Sequence, residues 1–169
     1  RVDIVGGIGL AFYKSPGSEL MINHCIELMK SSLEVYCTPD SGKWYENPAC
    51  YYLHALSCRL HLLFHLHRQG VINPATELPR LKDFLSWGPN IMTAPILKDN
   101  DVLTRGASPE EWAELPRSRR IPPIGDHAHL GKWINEFFPI MARAYDGSDP
   151  EFANYLRWAY DEGGRNGGH

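Results

Sequence analysis

"NPACYYLHALSCRLHLLFHLHRQG", residues 47–70, is the stretch whose reading decides the fold of this chain. Asn47 followed by Pro48 is a helix start. It offers a side-chain oxygen for a free backbone N–H, then a residue whose missing N–H costs nothing in the first turn. Gly70 suits the left-handed C′ position at which helices commonly stop. At about 100° per residue, Leu53, Leu56, Leu60, Leu63 and Phe64 fall on one face, the pattern of a core stripe. His54, Ser57, His61, His65 and Arg68 fall on the other. Tyr51 lies nearly opposite the leucines, beside His54, Ala55, Cys58 and His65, and Tyr52 sits between the two faces.

Upstream, "CTPDSGKWYE" is a loop rich in turn residues. Before it, "ELMINHCIELMKSSLEVY" carries apolar residues at helical spacing, with Ser18 as the expected N-cap. Residues 4–14 read as a packed helix end weakened by three glycines. Downstream, Asn73-Pro74 repeats the start signal and Gly88 repeats the stop. Residues 88–107 read as irregular. Ser108-Pro-Glu-Glu111 is a capping box. "LPRSRRIPPIGDH" reads as a loop, residues 129–145 as a helix kinked at Pro139, and Asp149-Pro150 as the start of a last helix ending at Gly163-Gly164. Residues 163–169 are expected to be a mobile tail. No strand pattern is convincing. The expected fold class is all-α, in antiparallel helix pairs with long loops, and residues 1–169 form a single α-helical domain or a fragment of a larger one.

The apolar share of 43% and charged share of 22% are those of a globular chain. A net charge of −3 argues against a dedicated nucleic-acid binder. It leaves room for an anionic substrate, because a local basic cleft outweighs a weak global charge. No apolar run approaches the length of a membrane span. No signal peptide is visible, and the start at Arg1 suggests an N-terminus that has been removed. Cys25, Cys37, Cys50 and Cys58 have no C-x-x-C spacing and read as buried thiols, with one disulfide open to a secreted protein.

Most tyrosines in such a helix are partly buried and make one hydrogen bond. A phenol in a polar cleft has a second use. Its ordinary pKa is about 10, and neighbouring cations lower it enough for acid–base work. The sequence "LMKSSLEVYCTPDSGKWYENPACYYLHALS" and, later, "RIPPIGDHAH" at residues 120–129 together resemble the heparinase II/III-like and oligoalginate polysaccharide lyases. The order and spacing of the two pieces fit that family across most of residues 18–145. The resemblance implies the later part of an incomplete α/α toroid, with β-sandwich domains in the parent chain. It implies β-elimination on a uronic-acid polysaccharide, with Tyr51 as the catalytic acid and base and Tyr52 as the alternative if the register slips. His54, one turn on, would tune the phenol. Trp44 and Glu46 would form a sugar-binding wall, and Arg117, Arg119 and Arg120 would meet carboxylates or sulfates. The family's carboxylate-neutralising Asn-His pair is not Asn23-His24, which lies too close to Tyr51. That pair and a β-sandwich histidine would belong to the parent, so the chain alone would hold an incomplete site. Family members are commonly periplasmic or secreted.

Two rivals stand beside this reading. His61 and His65 share a helix face at i, i+4, and Asp126, His127 and His129 could add ligands. No cofactor is expected, and a divalent metal is the weaker alternative, because zinc needs convergent ligands. The other rival is a non-catalytic α-helical module for carbohydrate binding or domain packing. Its apolar edge would be covered by missing toroid helices or by another copy.

Overall fold

The computed structural model describes residues 2–45, 52–97, 108–114, 117–119, 121 and 132–164. The all-α expectation holds. Helix α1 (Val2–Ala11) turns through residues 12–17 into α2 (Ser18–Tyr36). Helix α3 (Leu53–Arg68) follows, then α4 (Pro74–Glu77) and α5 (Pro79–Asn90). A short α6 (Pro109–Glu114) lies between two minimal strands, β1 (Ile96–Leu97) and β2 (Arg117–Ser118). These pair antiparallel, Ile96 with Ser118 and Leu97 with Arg117. Helices α7 (Lys132–Tyr145) and α8 (Pro150–Ala159) close the fold, and a π-helical turn, Tyr160–Gly164, continues α8.

Several boundaries follow local chemistry. Asn73 accepts a hydrogen bond from the Ala75 N–H, with Pro74 at the first helical position. Asp149 does the same for Phe152 ahead of Pro150. Ser108 and Glu111 form the reciprocal capping box, Ser108 N–H to Glu111 at 2.7 Å and Glu111 N–H to Ser108 at 3.3 Å. The hydrogen bond from the Ser108 N–H, and after it one from the Ser108 hydroxyl, holds the Glu111 carboxyl below its usual range. Gly70, at φ +68, ends α3. The Asn47-Pro48 start lies outside the described residues, as does the tail beyond residue 164.

Other readings are corrected. Ser18 is not the cap of α2. Gly17, at φ +84, holds that position, and the Ser18 hydroxyl donates back to the Ser15 carbonyl. The first helix ends at Ala11, three residues early, as the chain turns. Gly88 does not stop a helix: α5 runs on through Gly88 and Pro89 to Asn90. Within the stretch read as a loop, residues 115–127, Arg117–Ser118 form the short strand β2, which a two-residue pattern cannot announce.

The described part of the predicted α3 stripe is buried at Leu60 and Leu63 and half-buried at Phe64, and the buried face also takes in Tyr52, Ala55, Leu62 and Leu66. Helix α1 covers part of it. Gly6 brings its backbone so close to α3 that a Cβ there would lie 2.3 Å from Leu62, and Leu62 is thereby covered. On the other side α3 packs against α7, whose Phe137, Phe138, Met141 and Ala142 are buried. Helix α8 then buries Phe152, Ala153, Leu156 and Ala159 against α7. Each such large apolar side chain contributes about 1.5–3 kcal/mol through burial.

Candidate functional site

The aromatic loop is built before any chemistry is placed on it. Cys37 and Trp44 form an antiparallel bridge. Within it the Thr38 N–H donates to the Lys43 carbonyl at 2.9 Å, and the Gly42 N–H donates to the Thr38 carbonyl at 3.1 Å. Gly42 has φ +65, and a Cβ there would lie 1.7 Å from the Asp83 carbonyl oxygen. Only glycine lets this loop lie against the backbone of α5. The Arg80 guanidinium donates to the Cys37 carbonyl from the same helix. Burial pushes the Cys37 thiol up to about 11, with Arg80 opposing, so this thiol is not a ready nucleophile.

Trp44 points inward. It is 3% exposed, packs edge-on to Phe84 at 5.3 Å and carries the Arg59 guanidinium at 5.2 Å. It anchors the loop and presents no open face to a sugar, which corrects its reading as a sugar-binding wall. Tyr45, the next residue, is 72% exposed. Successive residues in an extended segment point to opposite sides. Sequence reading missed Tyr45, and the available signal was the alternation of Cys37-to-Trp44 pairing with its neighbours. Tyr36 is also exposed, 5.4 Å from Trp44.

Tyr52 belongs to the core. Its ring meets Phe84 and Trp87 edge-on at 5.1 and 4.7 Å. Its hydroxyl donates to the Phe84 carbonyl at 2.8 Å and accepts from the Gly88 N–H at 3.1 Å. Phe84 and Gly88 are the two ends of one i→i−4 step of α5, so the phenol serves the helix ladder itself. Gly88 is required there, since a Cβ would lie 2.9 Å from the Tyr52 ring. Burial holds this phenol far above its ordinary range, although the Gly88 N–H opposes the shift. A fully enclosed, doubly bonded and strongly neutral phenol is a structural pin. It is not placed to exchange protons with a substrate.

Arg119 also has a structural position. Its backbone N–H donates to the Glu162 carbonyl at 2.9 Å, Nε to the Glu162 carboxylate at 3.3 Å and Nη1 to the Thr93 carbonyl at 3.1 Å. It thereby ties residues 93 and 119 to the π-helical turn. Arg117 is exposed on β2. His61 and His65 are exposed on α3, with His61 edge-on to Phe137 at 4.7 Å. Among the described residues, no group of three metal-ligating side chains converges. Asn23 and His24 are exposed on α2, and Cys25 and Cys37 are buried. Tyr51, Glu46, Arg120, Asp126, His127, His129 and Cys50 lie outside the described residues, as do the side chains of His54 and Cys58.

Among the described residues, no helix is long and apolar enough to cross a membrane. Comparisons with protein-family models, with curated proteins and with solved structures find no match.

Proposed function

We propose that this chain is the later part of an α/α toroid in a lyase that cleaves uronic-acid polysaccharide by β-elimination, with Tyr51 as the acid and base. The observation that supports this reading most is the division of the tyrosine pair. The resemblance leaves Tyr51 and Tyr52 as alternatives, and Tyr52 is consumed by α5. The proton-transfer role therefore falls to Tyr51. The loop ahead of it is pinned to α5 through Gly42 and Trp44 and leaves Tyr45 exposed. Tyr45 replaces Trp44 as the aromatic face for a sugar ring.

In the proposed reaction a base removes the C5 proton beside the uronate carboxylate. The electron pair forms the C4–C5 double bond as the C4–O bond breaks, and an acid protonates the departing oxygen. The C5 proton is weakly acidic while the carboxylate is fully charged, so donors on that carboxylate must stabilise the developing enolate. Of the three candidate arginines, Arg117 is the described one left for a substrate carboxylate or sulfate. Arg119 is already engaged with Glu162 and Thr93.

The test is ultraviolet absorbance of the unsaturated product, with this chain and a longer parent on a panel of uronic-acid polysaccharides. The expected result is activity in the parent that is lost in Tyr51→Phe and retained in Tyr52→Phe at a temperature where that variant is folded. An inactive parent whose Tyr51→Phe variant folds and binds sugar normally would favour the non-catalytic module. Loss of polysaccharide binding in Tyr45→Ala, with Trp44 intact, would place the sugar on the exposed ring.

A further inference from the structure

The loop that follows α2 has two sides, and only one of them is spent on the core. Its register is set by the Cys37–Trp44 bridge. The Tyr45 N–H donates to the Tyr36 carbonyl at 3.2 Å and the Thr38 N–H to the Lys43 carbonyl at 2.9 Å, so Tyr36 stands opposite Tyr45 and Thr38 opposite Lys43. The inner pair, Cys37 and Trp44, is buried. The outer side is open: Tyr36 is 48% exposed, Tyr45 is 72% exposed, and Lys43 is exposed with them. Lys43 and Tyr45 are two residues apart in an extended segment, which sends their side chains to the same side, roughly 7 Å apart. Residues paired across such a ladder are about 5.5 Å apart at Cα, so the two phenol side chains leave the backbone as neighbours.

We propose that Tyr36, Tyr45 and Lys43 form a subsite for one uronate residue of a polysaccharide, with the sugar ring over the phenols and its carboxylate on the Lys43 ammonium. This rests on the reading of Tyr45 as a sugar face and is separate from the role of Tyr51 as acid and base. The first argument is rigidity. A weak ligand gains affinity from a surface that needs no ordering when it binds. The Tyr36 ring rests against Trp44 at 5.4 Å, and Trp44 packs edge-on to Phe84. Gly42 and Arg80 tie the same loop to α5. Exposed aromatics scattered singly need no explanation. Here two stand opposite one another on a fixed frame.

The second argument is chemical match. An aromatic face carries partial negative charge. A pyranose ring offers a face of C–H groups with the opposite partial charge, and hydroxyls at its rim for the phenol O–H groups. Lys43 selects an acidic sugar over a neutral one. Among the described residues its ammonium is in no ion pair. The nearest carboxylates in sequence are placed elsewhere. Glu34 approaches Arg80, and Asp40, at φ +64, sits at the tip of the turn, beyond Lys43 from the rings. The third argument is size. At about 150–250 Å² per aromatic side chain, the exposed parts of the two tyrosines amount to roughly 250 Å². That is far short of the ~800 Å² per partner of a stable protein interface, so the surface suits a small ligand.

The test is calorimetric titration of the 169-residue chain with mannuronate and glucuronate tetrasaccharides, beside mannotetraose and cellotetraose, their uncharged counterparts. The expected result is a Kd of about 1 mM or tighter for a uronate, and binding about threefold weaker for its neutral counterpart, the share of one exposed ion pair. Tyr45→Ala weakens uronate binding about fivefold with an unchanged thermal melt. Tyr36→Leu, which keeps an apolar cover on Trp44, does the same. Lys43→Ala abolishes the preference for uronate and leaves neutral binding unchanged, as does salt at about 0.5 M. No uronate binding, binding indifferent to either tyrosine variant, or a preference that survives Lys43→Ala would overturn the proposal. A parent that forms unsaturated product without these effects would overturn the subsite alone. These effects in a parent that forms no such product would support the subsite and overturn the lyase reading alone.

Discussion

Tyr52 and Tyr145 are both buried phenols at helix junctions, and they are bonded in opposite ways. Tyr52 gives and receives a hydrogen bond with α5, from more than thirty residues away in sequence. Tyr145, 2% exposed at the end of α7, packs edge-on to Phe152 at 4.9 Å, and its hydroxyl finds no partner among the described residues. The difference follows from what each junction must achieve. Helices α7 and α8 are joined by a four-residue turn that positions itself. The Ser148 and Asp149 N–H groups donate to the Tyr145 carbonyl, and Asp149 caps α8. Apolar packing suffices once the turn has set the angle. Helices α3 and α5 have no such short link, and a polar pin fixes their register.

The largest test of this contrast is Gly42→Ala. The α3–α5 side depends on a loop lying directly on the Asp83 carbonyl, and neither backbone can yield cheaply. Urea denaturation should show a loss of about 4 kcal/mol, at the severe end for a single substitution. Tyr52→Phe keeps the ring packing but leaves the Gly88 N–H and the Phe84 carbonyl without the hydroxyl. It should cost about 2 kcal/mol by the same measurement. A loss near zero would mean that the pin contributes nothing and that packing alone sets the register.

The pH profile sharpens the same point. Burial raises the folded-state pKa of Tyr52 far above its unfolded value of about 10. The stabilisation is therefore complete below pH ~10 and is lost as pH rises beyond it, since the unfolded chain releases a proton that the folded chain keeps. Urea midpoints across that window should give a slope of about −1.4 kcal/mol per pH unit for each such phenol. Tyr145, also raised by burial, adds to the slope, and Tyr52→Phe should remove one proton's share.

Smaller effects belong to the α7–α8 side. Asp149→Ala removes the cap of α8 and should cost about 1 kcal/mol. The Asp149 carboxyl is held below its usual range, first by its hydrogen bond from Lys82 and then by the Phe152 N–H. Its contribution is present above the ordinary carboxylate range and fades as pH falls through the folded value. Asp149→Asn keeps the cap and loses only the exposed Lys82 pair, so a change within about 0.5 kcal/mol is expected. Tyr145→Phe removes a hydroxyl with no bond to lose. Thermal melts should be unchanged, or raised by up to about 1 kcal/mol of stability. A large loss there would reveal a partner for that hydroxyl and would erase the contrast with Tyr52.

The candidate site was legible in part for a related reason. The sequence marks out the loop–helix step carrying two adjacent tyrosines, but not which of them the core takes. The wheel placed Tyr52 between the faces, beside the stripe of Leu53, Leu56, Leu60, Leu63 and Phe64, and periodicity does not say how far a core extends round a helix. The approach of Gly6 covers Leu62, and the contacts with Phe84 and Gly88 draw Tyr52 into the core as well. Trp44 reads as part of a sugar wall because aromatic faces stack on sugar rings, yet its bridge to Cys37 points it inward and leaves Tyr45 outside.

What the sequence by itself determined is what neighbours along the chain decide. Asn73-Pro74, Asp149-Pro150, the Ser108–Glu111 box and Gly70 act within one helical turn, and their hydrogen bonds are available before anything else packs. The predominance of helix follows from the same local chemistry and from apolar spacing. Tertiary structure alone decided that Gly88 continues a helix, that Tyr52 pins it and that Gly42 is irreplaceable. Each of those depends on the distance of closest approach between segments far apart in the chain, and helical periodicity carries no information about that distance.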